Sequence, residues 1–173
     1  MLVDISTFKL LYSSIYFFTV SLVLISILSI EIKKDLLRQQ KIGNILVFLP
    51  LLFLVLLVGL RDYNIGSDTY SYYEVYWVNG VPIILGQEFI FPFIILLLKY
   101  FGLSYSSFLI LISFLFYFIL YRALFKISQY FYSNVFFIFF VFFSFFFSLS
   151  LSANVIRQGL SLVLILFIVI PLY

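Results

Sequence analysis

Four charged residues have types and settings that could do chemistry, all outside the one dense charge cluster: Arg61, Asp68, Glu88 and Arg157. The interval Gly59 to Tyr73 reads G-L-R-D-Y-N-I-G-S-D-T-Y-S-Y-Y, so an arginine at the mouth of a helix is followed by an acid seven residues on. Gly66, between them, lets the chain turn back with a positive φ. The arrangement suits an anion held by Arg61 beside a hydroxyl polarised by the Asp68 carboxylate. A plainer alternative makes Arg61 an interfacial anchor and Asp62 and Asp68 solvated loop charges or helix caps, with Asp68 and Thr69 opening a short helix.

Arg157 and Gln158 interrupt a nearly continuous apolar run of about forty-five residues, which Asn154 also punctuates. A guanidinium in such surroundings needs a partner, and an ionisable residue within a membrane segment is a functional candidate. The competing explanation is an arginine at a helix end snorkelling to the headgroups. Glu88 follows Gly86 and Gln87 and precedes an aromatic run. Burial against Phe89 and Phe91 would make it a better base, whereas as a helix-starting acid it needs no function. Tyr70, Tyr72, Tyr73, Tyr76 and Trp77 form an aromatic group that suits either a membrane-interface belt or stacking on sugar rings.

The chain has seven acidic and ten basic residues and neither cysteine nor histidine. Thiol nucleophiles, disulfides, histidine acid–base chemistry and the usual Cys/His zinc sites are therefore excluded. No P-loop, dinucleotide-binding glycine pattern or nucleophile elbow occurs. Carboxylates can take Mg²⁺ or Mn²⁺, but no ligand cluster argues for a metal, and no cofactor is expected. The net charge of +3 is small and clustered, so nucleic acid is not expected as a partner.

The elements that must position these residues follow from composition. Of 173 residues, 65% are hydrophobic and 10% charged, far below the ~25% charged residues of a soluble domain. Lipid is the solvent for most of the chain. Leu10 to Ile30 is uncharged and, at 1.5 Å per residue, spans roughly the 30 Å hydrocarbon core. Lys33, Lys34, Arg38 and Lys41 then place a loop on the cytoplasmic side and the amino terminus outside.

The expected architecture is an all-α polytopic membrane bundle forming one domain over residues 1–173. Its crossings lie near 10–30, 42–60, 105–125, 131–152 and 156–172, with an outer loop at 61–88. Residues 89–103 form an interfacial or re-entrant helix, because the apolar stretch is short, Pro92 lies near its start, and Lys99 at mid-bilayer would cost ~2.5 kcal/mol or more. That choice keeps Arg122 and Lys126 inside and brings Arg61, Glu88 and Arg157 to the outer face. Phe136 to Phe147 holds nine phenylalanines in twelve residues and is expected to be a lipid-facing helix without a specific role. The apolar ending at Pro171, Leu172 and Tyr173 suggests the amino-terminal part of a longer protein.

The order G-L-R, then G-S-D-T with Tyr72 following, then Glu88 opening an apolar helix, then N-V-I-R-Q resembles the EpsG-type family of exopolysaccharide and O-antigen repeat-unit polymerases, which are Wzy-like. The resemblance covers most of residues 10–172, about the amino-terminal half of such a protein. It implies a multi-pass protein of the bacterial inner membrane with a GT-C-like arrangement. Such a protein joins undecaprenyl-pyrophosphate-linked oligosaccharide units at the outer face to make O-antigen, capsule or exopolysaccharide, with membrane lipid and a chain-length regulator as further partners. By position, Arg61 and Arg157 match family arginines and imply pyrophosphate binding, Asp68 and Glu88 match family acids and imply a general base, and Gln158, Asn154 and Tyr72 imply contacts to substrate. The family's histidine-containing outer motif has no counterpart in this chain. A flippase or transporter of a lipid-linked or anionic substrate, or an inactive fragment, is the alternative.

Overall fold

The structure is a computed structural model that describes residues 3–32, 36–80, 89–131, 133–145, 148, 150–154 and 156–169. Side chains of residues 26–46, Ser67 and Asn154 fall outside that description, as does the whole of Glu88. The basic loop expected to fix orientation therefore lies largely outside it.

Among the described residues, seven α-helices and two π-helical turns follow in chain order. They are α1 (Ile5–Ile32), α2 (Leu36–Gly59), α3 (Ser67–Tyr72), the π-turn Tyr73–Val78, α4 (Ile90–Tyr100), α5 (Tyr105–Tyr130), α6 (Val135–Phe143), the π-turn Ser150–Asn154 and α7 (Ile156–Val169). No strand occurs among the described residues; the one extended pairing is a parallel bridge between Val3 and Arg61. Ile5–Ile25 and Tyr105–Tyr130 are long and apolar enough to cross a membrane, while Val47–Gly59, Ile90–Tyr100 and Ile156–Val169 are shorter apolar helices. At 1.5 Å per residue, α4 is only about 16 Å long, shorter than the roughly 30 Å hydrocarbon core.

Helix directions follow from specific contacts. The end of α2 meets the start of α5 where Gly59 lies against Ile110, and Phe48 meets Tyr121 further along, so these helices run antiparallel. At Gly59 a Cβ would come within 2.8 Å of the Ile110 Cα, which explains the absence of a side chain there. By contrast α5 and α7 run parallel. Ile156 packs in one cluster with Phe108 and Ile112, and near the other end Lys126 Nζ donates to the Phe167 carbonyl at 3.2 Å. The amino terminus, the end of α2, α3 and the starts of α5 and α7 thus share one end of the bundle.

Two expectations change. The aromatic stretch from Phe136 is not a uniformly lipid-facing helix: Phe136, Phe139 and Phe143 are buried in the core, while Phe137 and Val141 are exposed. The i, i+3, i+7 spacing gives one helix face to the bundle core and the other to the surroundings. The expected span at 131–152 is also not one α-helix, because α6 ends at Phe143 with Ser144 as its cap. Ser148 Oγ donates to the Phe143 carbonyl at 2.9 Å, giving a helix-terminal acceptor a side-chain partner. Tyr12 and Tyr16 of α1 lie within hydrogen-bond reach of Ser148 and Ser144, at 3.3 and 3.5 Å.

Candidate functional site

The interval after α2 is built around Gly66, which has φ 103° and ψ 132°. An L-residue reaches that region only with strain, so glycine allows the chain to reverse and α3 to start at Ser67. The helix opens with Asp68 in its first turn, where negative charge is favoured by the helix dipole. Asp62 is tied down locally: its Oδ1 accepts from both the backbone N–H of Asn64, at 2.9 Å, and its Nδ2, at 2.8 Å.

Arg61 is enclosed by protein, with 1% of its surface exposed. Its Nε donates to the Ile65 carbonyl at 3.1 Å, Nη2 to Thr69 Oγ1 at 2.8 Å, and Nη1 to the Val58 carbonyl. Burial lowers the guanidinium to about 10, so it stays cationic at neutral pH. Thr69 passes the connection on: its Oγ1 donates to the Ala153 carbonyl at 3.5 Å and its own carbonyl accepts from Tyr105 at 2.8 Å. One buried cation therefore links the end of α2, the loop and α3, and through Thr69 the π-turn before α7 and the start of α5.

Arg157 is placed differently. Its side chain is 53% exposed, and its Nε lies 3.7 Å from Oδ2 of Asp68, whose side chain is 12% exposed. That Oδ2 is buried and has no hydrogen-bond partner among the described residues, with the Arg157 guanidinium as the cation beside it. Arg157 also sits over the Tyr72 ring, 6.0 Å from its centroid, a cation–π distance. Tyr72 is itself buried and packs beside Phe91 and Phe108, so it meets Arg157 rather than solvent. Its neighbours stack among themselves, with Tyr63 on Tyr73 at 4.2 Å and Trp77 edge-on to Tyr105.

Gly159 brings α7 close enough for these contacts. A Cβ there would run into the Leu151 carbonyl of the preceding π-turn and come within 3.2 Å of Phe116. Beyond Arg157 opens a groove of about 610 Å³ between α4, α5 and α7, where Arg157 and Ser161 are the polar lining residues in an otherwise apolar wall.

Of the residues singled out by sequence, Asp68, Tyr72 and Arg157 come together. Gln158 is exposed beside them, and Asn154 belongs to the π-turn that receives Thr69. Arg61 stands behind this group, joined to it through Thr69, not beside the groove. Tyr105 and Ser161 were not singled out, and Thr69 only as opening a helix. For Thr69 a signal existed, since it directly follows Asp68 in G-S-D-T. No group of three or more metal-binding side chains occurs among the described residues.

A family model matches residues 44–173, taking in Arg61, Asp68, Tyr72 and Arg157. The chain belongs to the EpsG family. Its EpsG family, with two helices among the described residues long and apolar enough to cross a bilayer, points to a membrane protein, and the family suggests a role of the polysaccharide-polymerase type. No curated protein and no solved structure matches the chain.

Proposed function

We propose that this chain forms part of a glycosyltransferase that polymerises undecaprenyl-pyrophosphate-linked oligosaccharide units at the outer face of the bacterial inner membrane. The observation that carries this reading is the Asp68–Arg157 pair, 3.7 Å apart, with a buried carboxylate oxygen that lacks a hydrogen-bond partner among the described residues. A buried polar atom left in that state is suited to a ligand's donor.

In the reaction, an acceptor hydroxyl gives its proton to Asp68 Oδ2 as its oxygen bonds to the anomeric carbon of the donor glycan. The bond from that carbon to the pyrophosphate oxygen breaks, and the electron pair leaves with the lipid pyrophosphate. Arg157 stabilises the negative charge developing on the leaving group. A guanidinium suits this task because its planar fork matches phosphate oxygens. Gln158 and Asn154 orient sugar or phosphate oxygens, Tyr72 supports Arg157 from beneath, and Glu88 is a second acid for the same face. Arg61 acts at one remove, holding Thr69 and hence the start of α3.

The accompanying topology has five crossings and an interfacial α4, in a GT-C-like arrangement, with the end carrying Val3, Asp68 and Arg157 facing outward. A chain-length regulator is a further partner. The test replaces Asp68 with Asn and Arg157 with Gln in the full-length protein and examines surface polysaccharide by gel. Long chains should collapse to single repeat units; unchanged ladders in both variants would overturn the assignment, and unpolymerised units retained on the cytoplasmic side would favour a transporter.

A further inference from the structure

We propose that residues 3–16 act as a positioning strap, which sets the Asp68–Arg157 pair by holding both of the chain segments that carry it. The family match begins at residue 44, so the strap lies outside the matched residues. Its effect on catalysis rests on the polymerase reading; its hold on the two segments rests on the contacts alone.

One end is fastened through backbone. The Val3 N–H donates to the Leu60 carbonyl and the Val3 carbonyl accepts from the Asp62 N–H, both at 3.0 Å. These bonds bracket Arg61, so the backbone bearing the buried guanidinium is fixed from both sides. Asp4 is the single residue between this bridge and α1, which leaves the connection little slack. It also starts the helix: its Oδ1 accepts from the Thr7 N–H at 3.4 Å, as an N-cap does, and its carbonyl accepts from Phe8 at 2.8 Å. Phe8 is buried in the core, which seats the first turn.

The other end is fastened through side chains. Tyr12, two turns into α1 and roughly 10 Å from its start, has its hydroxyl 3.3 Å from Ser148 Oγ, and Tyr16 lies 3.5 Å from Ser144 Oγ. Ser148 gives its own proton to the Phe143 carbonyl, so Tyr12 is the donor to Ser148. The Tyr12 ring also meets Phe143 edge-on at 5.2 Å. Both serines lie between the end of α6 and the π-turn that leads into α7.

Together these contacts close a circuit. It runs from Val3 to the backbone around Arg61, from Arg61 Nη2 to Thr69, from Thr69 to the Ala153 carbonyl, back along the chain to Ser148, and through Tyr12 and α1 to Val3. Asp68 adjoins Thr69, and Arg157 follows Ala153 by four residues, so the ion pair straddles the Thr69–Ala153 link. At 3.5 Å that link is the longest hydrogen bond of the circuit. The strap supplies a further connection between the same two segments, and a second connection restricts the separation and rotation that one allows.

The experiment uses the full-length protein with a purified lipid-pyrophosphate-linked repeat unit as donor. Val3→Pro removes the N–H that Leu60 accepts and keeps the carbonyl, and Tyr12→Phe removes the hydroxyl and keeps the ring. Val23→Ala, buried on the same helix beyond the strap, is the control for stability alone. Val3→Pro should speed phenylglyoxal modification of Arg61, which is 1% exposed, by about fivefold, the equivalent of one lost neutral hydrogen bond. It should lower kcat by about tenfold, since misplacement by ~1 Å can cost ~10²-fold, and Tyr12→Phe should lower it by about fivefold. In both, KM for the donor should hold. Val23→Ala should lower the melting temperature and leave kcat unchanged. Tyr12→Phe combined with Ser148→Ala should cost no more than Ser148→Ala alone, because both remove the same bond.

Unchanged Arg61 reactivity in Val3→Pro would overturn the proposal, as would a loss of kcat in Val23→Ala as large as in the strap variants. Additive losses at Tyr12 and Ser148 would do the same, and that pair decides alone should Val3→Pro fail to fold. Failure of the polymerase reading is separate: Arg61 would still become reactive in Val3→Pro while Asp68→Asn left glycan transfer unchanged.

Discussion

Arg157 and Asp68 form an ion pair at 3.7 Å in which the arginine is half-exposed and the acid largely buried. Arg61, the other arginine at the same end, is enclosed and donates to three protein oxygens. The two cations therefore divide the work between them: one faces a groove and an acid, and the other fastens the loop that presents the acid.

This division separates stability from activity. Arg61→Met leaves the Val58 and Ile65 carbonyls and Thr69 Oγ1 short of a donor, costing on the order of 3 kcal/mol, which for a chain of this size lowers the thermal midpoint by roughly 6–12 °C. Arg61→Lys should not rescue it, since a point ammonium does not match oxygens spread around a planar fork. Arg157→Gln, at an ion pair whose arginine is half-exposed and screened by solvent, should change stability by less than about 1 kcal/mol. Thermal melts of the purified variants in detergent check the contrast.

Gly159 sets how closely α7 approaches the π-turn Ser150–Asn154. Gly159→Ala places a methyl against the Leu151 carbonyl, and relief of that overlap must move backbone, at about 1–3 kcal/mol. The shift carries Arg157 away from Asp68. Loss of polymer chain length together with a lowered melting temperature is the expected result, in contrast to Arg157→Gln, which should lose only the former.

Much of this end of the molecule could be read from residue types. Gly66 announced its reversal, G-S-D-T its helix start, and the short stretch with Pro92 and Lys99 its shorter helix. The meeting of Asp68 with Arg157 could not be read, because it joins α3 to α7, segments distant in sequence, and no local pattern marks which helices will pack together. Arg61 looked like a ligand-binding cation because two of its three acceptors are backbone carbonyls, which every residue possesses and no sequence pattern marks. In the Phe136–Phe147 run every helix face is apolar, so periodicity could not tell core from surroundings.

Acidification should loosen the start of α1. Hydrogen bonds from Ser6 and Thr7 hold the Asp4 carboxyl below its ordinary 3.8. Its folded-state pKa is thus lower than its unfolded value, so the stabilisation is fully present above 3.8 and is lost as pH falls through the depressed value. Amide exchange at Thr7 and Phe8 should quicken in that window, and Asp4→Asn should show the faster exchange at neutral pH.

Reporter fusions after Asn79, Lys126 and Asn154 should report outside, inside and outside. An outside result at Lys126 would require α4 to cross the membrane and would put the proposed outer-face site on two sides of the bilayer.

The most direct measurement is the rate of glycan transfer by the full-length protein supplied with a purified lipid-pyrophosphate-linked repeat unit, comparing wild type with Asp68→Asn. If Asp68 takes the acceptor's proton, the variant should bind the donor with unchanged affinity and transfer it ~10²–10⁴-fold more slowly. Transfer within tenfold of wild type would contradict a general-base role for Asp68 and, with it, the placing of the reaction at the Asp68–Arg157 pair.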